Sequence, residues 1–482
     1  MKKILSIGQK EITSGLAHGK YLQNTGMWAT AQGMNHSIQA DNLLGLIAGC
    51  SAPTEIVSAS LTAGVVDVPV AATSRVTAAS TGHAYILGAS GHFYDLNTST
   101  FSLSDLRSGT PITNPANGIE IFRPSTGTEY LYYWQQGQIG RWDLAGTYAT
   151  GWTDNWVTGL NSTSYHPTRT FLDAVFYGNL NYIGKIYDDG TATTAHNGTV
   201  LDLPKDYTVT CLADDGQFLV IGATKNKGDA TLYAETRILF WDTNSSSWQK
   251  EYKLDDPSIN AIGKQGNALF AITSRGVYSF NFATEPTMIR QLSTQEGVSY
   301  GYPEAVDNIS EALIFGNDLT TYGKLHPTYK NGWAKPFFGL DQTGGNNNTV
   351  SMLFSNARFG YLLVGQTTPT LWYFNTTTNG APSKQWDTIY FDLGQTWRIQ
   401  QLDFIIPNGL ASGDAVSVSV TGTSGSTACT AVSYANHGAV YRVKTTPTQS
   451  VETDMLQLNL TMTGGVPAIA RIDVWGTPVN LQ

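Results

Sequence analysis

Along most of the chain, apolar and polar residues alternate in short runs broken by Gly, Asp, Asn, Thr and Ser, the pattern of strands joined by tight turns. One unit recurs. It consists of an apolar strand, a glycine-bearing or polar turn, a second strand ending in an aromatic, then Asp or Asn and a Thr/Ser-rich turn. It first occurs as YILGASGHFYDLNTSTFSL (85–103), then as YLYYWQQGQIGRWDLAGTYATGW (130–152) and VFYGNLNYIGKIYDDGTATT (175–194). A fourth copy carries an insertion between FLVIGA (218–223) and RILFWDTNSSSW (237–248). LFAITSRGVYSFNFATEPT (269–287), LIFGNDLTTYGKLHPT (313–328) and YLLVGQTTPTLWYFNTTTNG (361–380) complete the series. Taking Tyr85, Tyr130, Phe176, Phe218, Leu269, Leu313 and Tyr361 as first-strand anchors gives separations of 42 to 51 residues. That is the period of a four-stranded propeller blade.

The pattern changes at both ends. Residues 1–54 hold apolar residues scattered among Gly, Asn and Gln, which predicts an extended arm rather than a core. Tyr21, Met27, Trp28 and Met34 are its candidate partner contacts, since apolar side chains on a weakly charged arm need a surface to cover. After the last repeat, YFDLGQTWRIQQLDFIIP, AVSVSVTGT, VYRVKTT, MLQLNLTMTGG and ARIDVWGTP give at least five further strands. The expected fold is thus all-β. An extended arm (1–54) leads into a β-propeller of about seven blades (55–384), followed by a jelly-roll-like C-terminal β-sandwich (385–482). The β-rich segment Glu55–Val76 is expected to supply an outer strand that closes the ring.

Composition narrows the classes. Charged residues are 13% of the 482, against about 25% in ordinary soluble domains, which excludes coiled coils and charge-rich disorder. The net charge of −9 and the thin spread of 28 basic residues leave no phosphate-binding stripe, so direct nucleic-acid binding is not expected. The apolar run after Lys3 stops at Gly8, too short for a secretory signal, and LLGLIAGC (43–50) is too short for a membrane span. Three widely separated cysteines predict neither a disulfide framework nor a zinc site.

Motif-borne chemistry is sparse. HExxH, GxxxxGK[ST], GxSxG and CxxC do not occur, nor does a sialidase-type Asp box, and the eight histidines have no ligand spacing. No catalytic residue, metal ligand or cofactor site is predicted. The recurrent Asp95, Asp143, Asp188, Asp242, Asn281 and Asn375 each follow an aromatic and are expected to cap turns, since Asx side chains bond backbone amides two residues on. The Asp-Asp-Gly triplets at 188–190 and 214–216 are read as hairpin turns on the same ground. A glycosidase needs two carboxylates facing each other across the axis, an arrangement that residues from distant blades can form without any local motif.

Two resemblances bear on identity. Asp392, Leu393 and Gly394 before WRIQQLDFI, with Ile472, Val474 and Gly476 near the end, resemble the framework of discoidin-like, galactose-binding β-sandwiches. That likeness concerns fold; the sugar-binding loops of that family have no counterpart here. Polar arm, propeller and sandwich in that order, with low charge and abundant Thr, Ser, Asn and Gly, resemble the propeller proteins of tailed-bacteriophage virions, the tail nozzle, hub, tip or fibre components. The resemblance implies a structural protein made in the host cytoplasm and carried in the phage tail. Its partners would be other tail proteins and copies of itself in a symmetric ring, together with a host-surface glycan or receptor. Two alternatives stay open: a glycan-binding or glycan-cleaving propeller with a lectin-like sandwich, and a cellular scaffold of the WD or kelch kind, suggested by Trp142–Asp143 and Trp241–Asp242.

Overall fold

The computed structural model describes residues 1–7, short strands between residues 37 and 57, and residues 66–479 apart from intervening stretches, the longest being 227–234, 317–323, 340–348 and 376–382. Tyr21, Met27, Trp28 and Met34 lie outside the described residues. The chain divides into two compact units, one of residues 57–323 and 341–374, the other of residues 1–56, 324–340 and 375–482.

The first unit is a β-propeller arrangement with five four-stranded antiparallel blades, each a simple meander in chain order. Blade 1 runs Pro69–Ala78, Thr81–Gly88, Phe93–Asn97, Ser102–Asp105; blade 2 runs Pro115–Phe122, Tyr130–Gln135, Gln138–Trp142, Trp152–Thr158. Blade 3 comprises Thr168–Phe171, Ala174–Asn179, Tyr182–Asp188 and Thr194–Asp202, and blade 4 comprises Tyr207–Asp214, Leu219–Lys225, Thr236–Trp241 and Lys250–Leu254. Blade 5 comprises Ile259–Gln265, Ala268–Thr273, Gly276–Phe280 and Thr287–Gln291. A hairpin, Val306–Ile309 with Ala312–Phe315, follows, and then a sheet of Val350–Asn356, Tyr361–Gln366 and Thr370–Asn375 whose fourth strand is Ile56–Val57.

The repeats read from the sequence prove to be the second and third strands of each blade. Tyr85, Tyr130, Phe176, Phe218 and Leu269 belong to, or directly precede, second strands, and a first strand lies before each of them, its register broken by a bulge or irregularity in blades 1, 2, 4 and 5. Each blade buries both faces. In YLYYW, Leu131 and Tyr133 pack with Tyr85, Leu87 and Phe93 of blade 1, whereas Tyr132 and Trp134 pack with Val175, Tyr177 and Ile186 of blade 3. The period of two along a strand therefore sends alternate side chains into two different seams. Gly140 shows how tight a blade is. It lies directly opposite Tyr133, and a Cβ there would sit 2.2 Å from the phenol ring. Gly184 makes the same allowance for Tyr177.

Turn chemistry follows the sequence reading at four of the six Asx positions. Asp143, Asp188, Asp242 and Asn281 each accept a backbone N–H two residues on, at 2.8–3.0 Å. Asp95 instead bonds the His83 ring (2.8 Å), and Asn97 caps that turn by accepting from Ser99 N (2.9 Å). Asn375 ends its strand, and its side chain lies outside the described residues.

In the second unit the long strands Phe391–Ile405 and Val451–Thr463 organise a ten-stranded sheet. Residues 451–456 pair with the former strand, whereas residues 457–463 pair with Ala415–Gly422 on one side, and residues 459–463 with Ser383–Thr388 on the other. A single apolar cluster, including Trp397, Phe404, Val418, Leu458 and Ile472, fills it. The segment expected as an arm begins with a strand of this sheet: Lys2–Ile7 pairs with Arg471–Pro478, and Ser6 Oγ donates to Asp473 Oδ1 (2.6 Å) across 467 residues of sequence. Ile7 is apolar and falls on the buried face, which is why this short run joins a sheet. Asp392 accepts from Gly394 N (2.7 Å), and Gly394 takes φ +72°, so the Asp-Leu-Gly turn lies within one bent strand rather than between two.

Candidate functional site

Charged residues recur on the innermost strands at blade spacing. Arg75, Glu120, Arg169, Asp214, Lys264 and Asp307 alternate in sign and are separated by 45, 49, 45, 50 and 43 residues. Each belongs to the first strand of its sheet. They share a repeat position because each innermost strand sends its two faces into the neighbouring seams, as Ile119 and Phe122 do, but has no strand beyond its inner edge, so a side chain there meets the middle of the ring, where a charge is tolerated.

A cavity of about 380 Å³ opens among these strands, and Glu120, Arg169, Thr170, Glu304, Asp307 and Ser355 contribute to its predominantly polar wall. Asp214 anchors the cations beside it. Arg169 donates to its Oδ2 through Nε (2.8 Å) and Nη2 (2.5 Å), and Lys264 reaches its Oδ1 (3.0 Å). Asp307 accepts from Ser355 N (2.5 Å) and Arg75 pairs with Glu129 (2.6 Å).

Electrostatics separate these carboxylates. Burial would raise Asp214, but the Arg169 guanidinium and Lys264 ammonium outweigh it and hold the carboxyl below the usual range. Glu120 is raised by burial, only partly offset by Arg169 and by hydrogen bonds from Thr170. Glu304 is pushed up to about 8, first by burial and then by the neighbouring negative charges of Glu120 and Asp307, with Arg169 opposing. Glu304 and Glu120 both line the cavity, and each is half-buried, keeping some exposed surface. Of the carboxyl groups lining the chamber, Glu304 and Glu120 are thus both shifted toward holding a proton, whereas Asp214, beside the chamber, is held toward its ionised form.

None of these cavity residues was singled out as a site in the sequence. Asp214, read as a turn residue, belongs to this network; its neighbour Asp215 performs the turn by accepting from Gln217 N (2.9 Å) and Phe218 N (2.7 Å). The signal that would have found the site is the alternation of charge at blade spacing, visible only after the innermost strands are aligned. Other polar clusters bind blades together. Arg107, 2% exposed, clamps Asp154 through Nη1 (2.7 Å) and Nη2 (3.0 Å), and Tyr133 donates to the same carboxylate. His166 is fully buried, its Nδ1 set against the Gly178 carbonyl (2.8 Å), and burial lowers its pKa to about 4. Among the described residues no group of three or more His, Cys, Asp or Glu converges as a metal site.

No family model matches the chain, and no curated protein matches it.

Proposed function

We propose that the chain is a structural protein of a tailed-phage virion, a nozzle, hub or tip component that builds or closes the tail and meets the host surface. The observation that carries this reading is how the chain is stitched. Two sheets complete themselves with strands from far along the sequence, Ile56–Val57 beside Thr370–Asn375 and Lys2–Ile7 beside Arg471–Pro478. Such closures resist peeling from an edge, which suits a part that bears load. Low charge and Thr/Ser/Asn-rich turns add support.

The same reading takes the propeller as seven-bladed. Its support is the order in which innermost strands touch: those of blades 1 to 5 in turn, then Val306–Ile309, then Val350–Asn356, which returns to Pro69–Ala78. Ser351 Oγ donates to the Pro69 carbonyl (2.5 Å) at that return. The terminal sheet is taken as a jelly-roll-like sandwich, because residues 451–463 change neighbours midway while one apolar cluster stays enclosed.

Mass spectrometry of purified tailed-phage particles from the culture that encodes the chain tests the reading. A fixed copy number per particle is expected; absence from abundant particles overturns it. The cavity favours a second reading, a glycan-binding or glycan-cleaving propeller, since Glu120, Glu304 and Asp307 bring carboxyl groups from separate sheets to one polar chamber, and paired carboxyl groups are what glycoside cleavage requires. Reducing-end release from polysaccharides, abolished in Glu304→Gln, is its expected outcome, and no release from a broad panel removes the cleaving form.

A further inference from the structure

The charges around the axis do not balance locally. Arg169 and Lys264 are both committed to Asp214, and Arg75 to Glu129. Three carboxyl groups, those of Glu120, Glu304 and Asp307, line the cavity wall, and the cation that opposes the burial of Glu120 and Glu304 is the guanidinium of Arg169, already engaged. Glu120 is bonded by Thr170 and Asp307 by Ser355 N. Glu304 differs: its main-chain carbonyl accepts from Leu353 N (2.8 Å), but its carboxyl has no hydrogen bond or ion pair among the described residues. A carboxyl that lines a chamber of this size and has no donor of its own among the described residues calls for a partner within the chamber.

What satisfies it is constrained by the wall. The carboxylates do not converge as a metal-ligand group, so the negative charge is spread over the chamber rather than focused on one point. Between them stand Thr73, Thr168, Thr170 and Ser355, which offer hydroxyl and main-chain partners. The volume is at the small end of the range for ligand sites, about 300–1,000 Å³. A spread of acceptors, a dominantly polar wall and a small chamber call for a compact cation that carries hydroxyl groups.

We propose that the axial cavity binds a small hydroxylated ammonium ligand of amino-sugar type, with Glu304 and Glu120 receiving the ammonium group and the Thr and Ser side chains its hydroxyls. The inference rests on the glycan reading for the class of ligand and not on cleavage. Ligand entry displaces the proton held on Glu304, so binding releases protons near neutral pH. Glu120 from blade 2, Arg169 from blade 3 and Asp307 from the hairpin after blade 5 are the charged groups that face Glu304 and set that displacement.

Calorimetric titration of the full chain tests this, with glucosamine, glucose, 1,4-diaminobutane and calcium chloride as probes in two buffers of different ionisation enthalpy. The expected result is saturable one-to-one glucosamine binding with proton release, at least tenfold tighter than glucose. Glu304→Gln and Glu120→Gln each weaken it tenfold or more, with circular dichroism unchanged. Asp307→Asn serves as the second variant should either fail to fold, and it too is expected to weaken binding. Absence of saturable glucosamine binding overturns the proposal, as does unchanged affinity in the folded variants. Calcium binding that the same variants abolish, without glucosamine binding, overturns it in favour of a metal site. Diaminobutane binding as tight as glucosamine overturns the role of the hydroxyls. Glucose binding that is equal in all variants overturns this inference while leaving the glycan reading standing.

Discussion

The seams between blades and the cavity at the axis are built by the same strands and obey opposite rules. In the seams, Tyr133, Trp134, Tyr177 and Trp241 are almost wholly buried, and polar atoms are mostly tied within short networks such as Arg107–Asp154–Tyr133. At the axis, charged side chains recur on the first strands of the five blades and on Val306–Ile309, and one carboxyl is left without a donor among the described residues. The difference follows from what each space excludes. A seam removes water from two apolar faces and gains about 25 cal/mol for each Å² buried, so it selects size and shape. The axis is where strands from every blade approach without a partner sheet to fill the gap, so water stays and charge is permitted. Seam residues therefore carry the packing, and axial residues carry the charge.

Truncating a seam residue should have the largest effect. Trp241→Ala removes a side chain packed edge-on against Phe176 at 5.8 Å, and it should cost about 3–5 kcal/mol, read as a lower urea midpoint. A loss under about 1 kcal/mol would mean that the seam between blades 3 and 4 is not a continuous core.

Next comes the effect of pH on the axis. A carboxyl with a folded-state pKa of about 8 holds a proton that the unfolded chain has already released above about 4.3, so stability falls as pH rises through that window. Glu304→Gln should abolish that fall, giving a protein about 2–4 kcal/mol more stable than the parent near pH 8 and equal to it near pH 4. An unchanged pH profile would remove Glu304 from the interior.

The seam supplies a smaller titration of opposite sign. His166, with a folded-state pKa of about 4, stays neutral where an unfolded histidine gains a proton below about 6.5, so stability is lost as pH falls through that interval. His166→Gln should flatten the upper part of the acid limb by about 1–3 kcal/mol while leaving the alkaline limb in place. The two limbs, separately erased by the two substitutions, distinguish seam from axis in one pair of curves.

The smallest change is expected on the surface of the second unit. Arg398 and Glu452 pair at 2.5 Å but are 52% and 39% exposed, so Arg398→Ala should shift stability by no more than about 0.5 kcal/mol in urea melts.

The hairpins were legible in the sequence because their second and third strands are apolar, aromatic runs joined by a polar or glycine-bearing turn and followed by Asx, as in YLYYWQQGQIGRWD. The innermost strands were not. Thr168–Phe171 is four residues long, and Tyr207–Asp214 reads YTVTCLAD, without the aromatic-Asx signature that marks the hairpins. Their charges were discounted singly, since Glu120, Arg169 and Asp214 lie 45 to 49 residues apart and no local window contains two of them. Glu304 lies just before the strand Val306–Ile309 and outside the repeat position that the other charges share, so even aligned repeats would pass over it. The pairing of Lys2–Ile7 with Arg471–Pro478 was hidden for a related reason: a single six-residue strand shows no periodicity of its own, and its partner lies at the far end of the sequence.

The account turns on Glu304 being an enclosed, proton-holding carboxyl at the axis. Carbon-13 NMR of the full chain labelled at the glutamate carboxyl carbon, with Glu304→Gln used to assign the signal, measures this directly. One glutamate is predicted to titrate near pH 8 and to vanish from the spectrum of the variant. If the signal lost in the variant titrates at the ordinary glutamate value, about 4.3, the axis is an open, solvated channel and the distinction between it and the seams fails.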